Sequence, residues 1–213
     1  MLDVFGPHKS QSPPMTTNDK IIRAALKGEL EKLHAGDDKL RIVEEFGIEY
    51  GAIRIDIAVV NGLLHGYEIK SDRDTLLRLP EQMDAYNSVF DQVTIVVGKQ
   101  HLYDAINLVP DWWGITVAKF GSDGLVVLNR IREAGTNAQQ RSISIARLLW
   151  RSEALQILEE AGKADGLRSK PRELIYERLC TIFDLARLEE KVREIIFSRE
   201  DWRSDSPLVL NGG

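Results

Sequence analysis

The sequence predicts an α/β domain that is followed by a bundle of helices. Three observations support this fold class. An Asn61-Gly62 pair, which favours the positive φ angles of a hairpin turn, joins two apolar strands. A short run of β-branched residues at 93–97 predicts a further, fully buried strand. After residue 141 the apolar side chains recur only at helical spacing, so the C-terminal part is predicted to be all-helical.

The first part of the chain is predicted to run helix, three strands, helix, strand. Three prolines among residues 1–17 predict a disordered N-terminal arm. Pro80 is expected either to begin the second part of a helix or to kink it. The spacing of apolar residues places these elements at 18–34 (helix), 40–46, 53–60 and 63–70 (strands), 75–88 (helix) and 93–97 (strand).

The second part of the chain adds a helix, a hairpin and the helical bundle. A polar segment at 133–141 is predicted to be a linker. It divides an α/β domain at 18–132 from a helical domain at 142–203, with a flexible tail at 204–213. The further elements are expected at 101–108 (helix), 115–118 and 125–129 (strands), 142–150, 152–161, 171–184 and 187–199 (helices).

Composition limits the classes of function. The 213 residues are 43% hydrophobic and 29% charged, which is typical of a soluble protein with a real core. The net charge is −5, so a nucleic-acid site would need locally clustered Lys and Arg. A single cysteine, Cys180, excludes a disulfide within the chain and the usual Cys-rich zinc sites. Without an apolar run of about 20 residues or a signal-peptide pattern, we expect a cytoplasmic location and no membrane partner.

The hairpin carries the side chains with the clearest chemical pattern. The second strand ends in Glu68-Ile69-Lys70, and alternation places Glu68 and Lys70 on one face, with Asp56 close by across the hairpin. Two carboxylates can hold a divalent cation, and an adjacent lysine can orient or deprotonate water. A solvated strand end with an exposed acid remains the alternative explanation of this spacing.

These residues resemble the signature of the PD-(D/E)XK nuclease superfamily, which is an acid, a hairpin and then Asp or Glu, any residue and Lys. Ile55 stands where the family has Pro. Gln82 and Tyr86 resemble the Gln-x-x-x-Tyr motif of RecB-type members. The block at 66–82 and the Trp-Trp-Gly-Ile at 112–115 resemble a bacterial family of largely uncharacterised nuclease-like proteins.

The resemblance implies an αβββαβ core, with a central mixed sheet flanked by helices, and hydrolysis of phosphodiester bonds, most readily of DNA. The biological setting would be repair, defence or mobile-element biology. The alternative is a catalytically silent nuclease fold that binds nucleic acid or protein. The implied metal is Mg²⁺ or Mn²⁺, held by Asp56, Glu68 and the Ile69 carbonyl, with Lys70 positioning water and Gln82 and Tyr86 orienting the site. Glu45 is either a further metal contact or a surface acid.

Several basic residues are candidates for binding the substrate. Arg54 either binds phosphate or pairs with Glu45, and Arg78 faces either phosphate or solvent. Arg168, Lys170 and Arg172 enter a helix N-terminus, where backbone N–H groups favour phosphate. They are predicted to contact DNA, with an ordinary bundle surface as the alternative. A homodimer or a protein partner bound through the helical domain is a further expectation.

Overall fold

The computed structural model describes residues 16–199, which form a six-stranded mixed sheet flanked by helices. The predicted α/β class is therefore confirmed. Thr17, predicted to belong to the disordered arm, is buried, and its N–H and hydroxyl donate to Asp72 Oδ2 at 2.8 and 2.7 Å. The prediction is wrong for this residue because Asp72 fixes it. The rest of the predicted arm and the predicted tail at 204–213 lie outside the described residues.

The element order begins helix, three strands, helix, strand, as the sequence predicts. The predicted hairpin at residues 115–129 is also present, as the last two strands. The strands are β1 (Arg41–Ile48), β2 (Ile53–Val60), β3 (Leu64–Lys70), β4 (Gln92–Gly98), β5 (Gly114–Phe120) and β6 (Val126–Arg132). The helices are α1 (Asp19–Leu33), α2 (Leu79–Asn87), α3 (Leu102–Leu108), α4 (Ser142–Ala146), α5 (Arg151–Glu160), α6 (Arg172–Ile182) and α7 (Leu185–Ser198).

The sheet follows chain order from β1 to β6. The first three strands form an antiparallel meander, and β3, β4 and β5 are parallel to one another. β6 returns antiparallel to β5. Helices α2 and α3 make the two crossovers that parallel strands require, so the carboxyl ends of β3, β4 and β5 lie at one edge of the sheet.

Each face of the sheet has its own apolar core. Helix α1 covers one face, where Ile22, Leu26 and Leu30 pack against residues that include Ile57 and Val96. The other face is covered by α2, α3 and the helical tail, which we define as residues 142–198. One continuous apolar cluster joins that face of the sheet to all four helices of the tail.

Polar contacts also attach the helical tail to the sheet. Arg193 of α7 pairs with the buried Asp91, which in turn accepts a hydrogen bond from the N–H of Leu64 at 2.6 Å. The predicted linker at 133–141 has neither helix nor strand. It is nevertheless packed, because the buried Asn137 donates to the carbonyl oxygen of Phe90 at 2.8 Å. The division into two domains stays a prediction.

Some element boundaries differ from the prediction. Helix α2 begins at Leu79 rather than at residue 75, because residues 71–78 form turns in which Asp74 Oδ2 accepts from the N–H of Ser71. Pro80 therefore lies in the first turn of α2 and does not kink it. Helix α4 ends at Ala146, four residues early. Within residues 16–199, no helix combines the length and apolarity needed to span a bilayer.

Candidate active site

Side-chain alternation along β2 breaks at Asp56, and this break positions its carboxylate. Ile55 and Ala58 both enter the core beneath the helical tail, although a regular strand would place them on opposite faces. Glu45 lies opposite Asp56, between the pairs Glu44–Ile57 and Phe46–Ile55, and has a φ of +52°. The local backbone therefore departs from regular pleating on both strands, and the Asp56 side chain reaches toward β3.

The Asp56 carboxylate is shared between β3 and α1. Its Oδ2 accepts a hydrogen bond from the backbone N–H of Ile69 at 2.6 Å. Its Oδ1 lies 2.6 Å from Arg23 Nη2 of α1. The same guanidinium pairs with Glu45 at 3.0 Å and with Asp19 at 3.2 Å. Arg23 is therefore the cation that compensates three carboxylates at this end of the sheet.

Four side chains form a closed hydrogen-bond network, here called the site network, on β3 and α2. Lys70 Nζ lies 2.6 Å from Glu68 Oε1 and 3.1 Å from Gln82 Oε1. Gln82 Nε2 lies 3.0 Å from both Glu68 Oε1 and the Tyr86 hydroxyl. That hydroxyl lies 2.7 Å from Glu68 Oε2. Glu68 is only 2% exposed and Tyr86 is fully buried, so the geometry is fixed by packing as well as by hydrogen bonds.

The electrostatics of the site reflect two neighbouring carboxylates with little solvent. Burial, followed by the negative charge of Glu68, raises the pKa of Asp56 to about 6. The hydrogen bond from Ile69 and the charge of Arg23 oppose this rise. Burial and the charge of Glu68 also raise the pKa of the Tyr86 hydroxyl, which therefore stays neutral and can donate to the carboxylate.

A family model described as Bacteriophage P4 protein cII matches residues 14–210. The chain belongs to this family. Over 94 residues it is 33% identical to Protein cII of Enterobacteria phage P4, an alignment that covers 44% of this chain and 35% of that protein. The chain thus spans about a third of the length of this curated relative. A solved structure, the SPO1766 protein of unknown function from Silicibacter pomeroyi, is 17% identical with a TM-score of 0.40, covering 76% of this chain and 99% of that one.

In this cII-family chain, the structure brings the five predicted catalytic residues to adjacent positions. Glu68, Lys70, Gln82 and Tyr86 form the site network, and Asp56 lies at the gap between β2 and β3. The predicted metal contact Glu45 is held by Arg23. Glu45 is exposed, as the surface-acid alternative expects, and it makes no direct hydrogen bond to the site network.

The predicted substrate-binding arginines are placed differently from one another. The carbonyl of Arg54 lies 2.8 Å from the Tyr86 hydroxyl, and its side chain lines a cleft described below. Arg78 precedes α2, is exposed, and its guanidinium makes no hydrogen bond or ion pair with another described residue. Arg168 pairs with Glu159 on the outer surface.

Lys170 is also exposed. Of the three basic residues predicted near the start of α6, only Arg172 lines the cleft that contains the Arg54 side chain.

The oxygen donors of the site suit a hard divalent cation. Within residues 16–199, no group of three or more His, Cys, Asp or Glu side chains is placed to hold a metal ion. Asp56 and Glu68 nevertheless supply two carboxylates. The Ile69 carbonyl points to the same side of β3 as its N–H, toward Asp56, because both groups of a strand residue face one neighbour. Mg²⁺ is usually held by one or two carboxylates and several waters, so this donor set fits it.

Arg23 is the main site residue that the sequence did not reveal. Asp19, four residues earlier on α1, signals only a common helical ion pair. The approach of Arg23 to Asp56 depends on how α1 crosses the sheet, which no local pattern indicates. The contact of Arg147 with Tyr50 was missed for the same reason, because the two residues are distant in the chain: Arg147 also pairs with Glu49, 98 residues earlier.

Proposed function

We propose that this cII-family chain is a metal-dependent nuclease of the PD-(D/E)XK type, which hydrolyses phosphodiester bonds of DNA. The observation that carries the proposal is the site network, in which Glu68, Lys70, Gln82 and Tyr86 converge beside Asp56. The order helix, three strands, helix, strand, with an antiparallel meander followed by a parallel strand, also supports this assignment.

Lys70 is the residue best placed to act on a phosphodiester. Its ammonium has three N–H donors, of which Glu68 and Gln82 accept two. The third donor is left for a water molecule or a phosphate oxygen. Because Gln82 is itself anchored to Glu68 and Tyr86, the ammonium is held in one orientation before substrate binds.

Asp56, Glu68 and the Ile69 carbonyl are the groups that would hold Mg²⁺ or Mn²⁺. When bound, the cation polarises the phosphate and lowers the pKa of the attacking water. The raised pKa of Asp56 supports this assignment, because burial and the neighbouring negative charge of Glu68 disfavour its ionised form, and an added cation would offset both effects. DNA as substrate, a cytoplasmic location and a role in repair, defence or mobile-element biology are parts of the same proposal.

A second candidate function is a silent nuclease fold that only binds nucleic acid or protein. The observation in its favour is Arg23, whose guanidinium already lies on Asp56 Oδ1 at 2.6 Å. A guanidinium can stand in for the charge of a missing cation, and a bound metal would have to share Asp56 with it. A homodimer or a protein partner bound by the helical tail remains a prediction of either candidate.

The two candidates are separated by cleavage assays on purified protein. Labelled single- and double-stranded DNA should be cut in Mg²⁺ or Mn²⁺ and left intact in EDTA. Lys70→Ala and Asp56→Asn should each lower the rate on the order of 10²–10³-fold, because the first removes a cation beside the reacting phosphate and the second removes a carboxylate that would hold the metal. Lys119→Ala, an exposed position on β5, is the matched control and should cut like the wild type.

The folding of Lys70→Ala has to be checked alongside the assay, because the substitution leaves the buried Glu68 without its cationic partner. Asp56→Asn keeps an acceptor for the Ile69 N–H and covers the case in which Lys70→Ala is unfolded. A wild type that binds DNA but cuts nothing with either metal would support the silent fold. Equal cutting by the wild type and both variants would place the activity elsewhere.

A further inference from the structure

A cleft of about 560 Å³ lies between the β1–β2 end of the sheet and the helical tail. Its walls come from the turn after β1, the segment between α4 and α5, and the start of α6. Five arginines line it: Arg54, Arg147, Arg151, Arg172 and Arg199. We call it the arginine cleft. The described acidic residues in its lining are Glu44 and Glu45, so the lining carries an excess of positive charge.

Two of these guanidiniums, those of Arg151 and Arg172, form no ion pair with a described carboxylate. Arg147 pairs with two glutamates and Arg199 with one. In contrast, Arg151 donates to the backbone carbonyls of Arg168 and Lys170. The Arg172 guanidinium lies 3.5 Å from the centre of the Tyr50 ring. Both Arg151 and Arg172 line the cleft and are exposed, so an anion in the cleft can reach them.

The turn that carries Tyr50 has an unusual backbone. Glu49 and Tyr50 have φ angles of +49° and +62°, in the left-handed region that non-glycine residues seldom occupy. Such conformations are strained in residues other than glycine, and they concentrate at binding sites. Tyr50, 38% exposed, has the Arg172 guanidinium over its ring, lies near Arg147 and stacks against Tyr176.

We propose that the arginine cleft binds the phosphate backbone of a single nucleic-acid strand, an inference that rests on the proposed nuclease function. Planar guanidiniums match the geometry of phosphate groups. The volume lies within the range of clefts for small ligands, about 300–1,000 Å³. It can hold a short stretch of one strand but not the width of a duplex.

Two residues that line the cleft also contact groups of the candidate active site. Arg54 lines the cleft, while its carbonyl oxygen lies 2.8 Å from the Tyr86 hydroxyl of the site network. Glu45 also lines the cleft and contacts Arg23, which holds Asp56. A strand held by Arg151 and Arg172 would therefore enter beside the two carboxylates.

The test measures binding without cleavage, so that it does not depend on an active metal site. A fluorescent 20-nucleotide oligothymidine is titrated in EDTA at several salt concentrations. The double variant Arg151→Gln/Arg172→Gln should lower the log–log salt slope by about 1.4, since each phosphate contact on a single strand contributes about 0.7. Affinity at low salt should fall on the order of tenfold.

Two matched variants isolate the cleft from general charge. Lys163→Gln/Arg178→Gln removes the same charge from exposed positions outside the cleft and should keep the wild-type slope. Arg151→Lys/Arg172→Lys keeps the charge and should keep most of the slope. An unchanged slope in the glutamine pair, or an equal loss in the Lys163/Arg178 control, would overturn the proposal. Equal affinity for a duplex of the same length would also overturn it.

A measurement on the wild type covers the case in which a variant does not fold. Hydrogen exchange with bound oligothymidine should show protection at residues 49–51 and 147–151, and its absence there would count against the cleft. The outcome is separate from that of the nuclease proposal. Binding through the cleft with no cleavage in Mg²⁺ or Mn²⁺ would support the inference and refute the nuclease proposal. Cleavage without these slope changes would support the nuclease proposal and refute the inference.

Discussion

His65 of β3 is a partly buried base whose charge state differs between the folded and unfolded chain. Its Nε2 lies 2.9 Å from Thr94 Oγ1, and its ring stacks on Tyr67 at 4.2 Å between centroids. Burial, followed by the positive charges of His34 and Arg130, lowers the pKa of His65 to about 4. The unfolded chain takes up a proton near pH 6.5, so it binds more protons than the folded chain between these two values.

The folded state should therefore lose stability as the pH falls from about 6.5 toward 4. For a pKa of about 4, the free energy of unfolding should drop by about 2 kcal/mol between pH 7.5 and pH 5.0 on account of His65. The variant His65→Gln keeps a hydrogen-bonding side chain but cannot titrate, so it should lack this part of the pH dependence. Urea unfolding at both pH values measures it. The same drop in wild type and variant would assign the acid sensitivity to other groups.

At the residue scale, the sequence predicted the site network better than it predicted Asp56. Regular alternation was enough to place Glu68 and Lys70 together, and an offset of four placed Gln82 and Tyr86 on one helix face. The orientation of Asp56 depends on a local break in alternation. No residue type in the sequence predicts that break.

At the scale of single elements, β4 ends at a glycine because of the loop that follows β3. A Cβ at Gly98 would lie 2.5 Å from the backbone nitrogen of Asp72 and 2.4 Å from its Oδ1. Asp72 cannot move freely, since its carboxylate accepts hydrogen bonds from Thr17 and from the N–H of Gln100. Through these hydrogen bonds, Asp72 connects Thr17 to Gln100, just after the end of β4.

Gly98→Ala should destabilise the protein by about 1–3 kcal/mol or more, because overpacking here meets backbone rather than a flexible side chain. Gly28→Ala is the matched control. Gly28 lies inside α1 with no atom within 4 Å of a built Cβ, so alanine should stabilise the helix by about 0.5–1 kcal/mol. Urea unfolding of both variants gives the two differences. A neutral Gly98→Ala would show that the loop at Asp72 is looser than this geometry requires.

Element boundaries were predictable where local chemistry decides them. Asn18 caps α1 by accepting from the N–H of Ile21, and the predicted hairpin joins β2 to β3 through residues 61–63, where Gly62 has a positive φ and Asn61 does not. The start of α2 was not predictable from periodicity. Leu76 and Leu79 both pack against the core but belong to a turn and a helix respectively, so apolar spacing alone could not place the boundary.

At the scale of the whole molecule, the helical tail packs on the sheet more closely than we expect for two domains that are joined by a linker. The sequence showed the change from mixed to helical periodicity but carries no signal for what the tail packs against. In the structure, Ile175 and Leu179 of α6 belong to the same apolar cluster as Ile95 of β4 and Phe90. Contacts between residues so distant in the chain depend on tertiary packing, which sequence patterns do not reveal.

If the shared core makes the sheet and the tail one cooperative unit, a cavity in the tail must weaken the sheet equally. Ile175→Ala removes a fully buried side chain and should cost about 2–5 kcal/mol. Hydrogen exchange of the β4 amides, residues 93–97, and of the α6 amides should report the same loss of protection. Leu174→Ala, at a position 44% exposed on the same helix, should change both only slightly. Loss of protection confined to α6, with β4 unchanged, would instead establish that 18–132 and 142–203 unfold as the two separate domains that the sequence predicts.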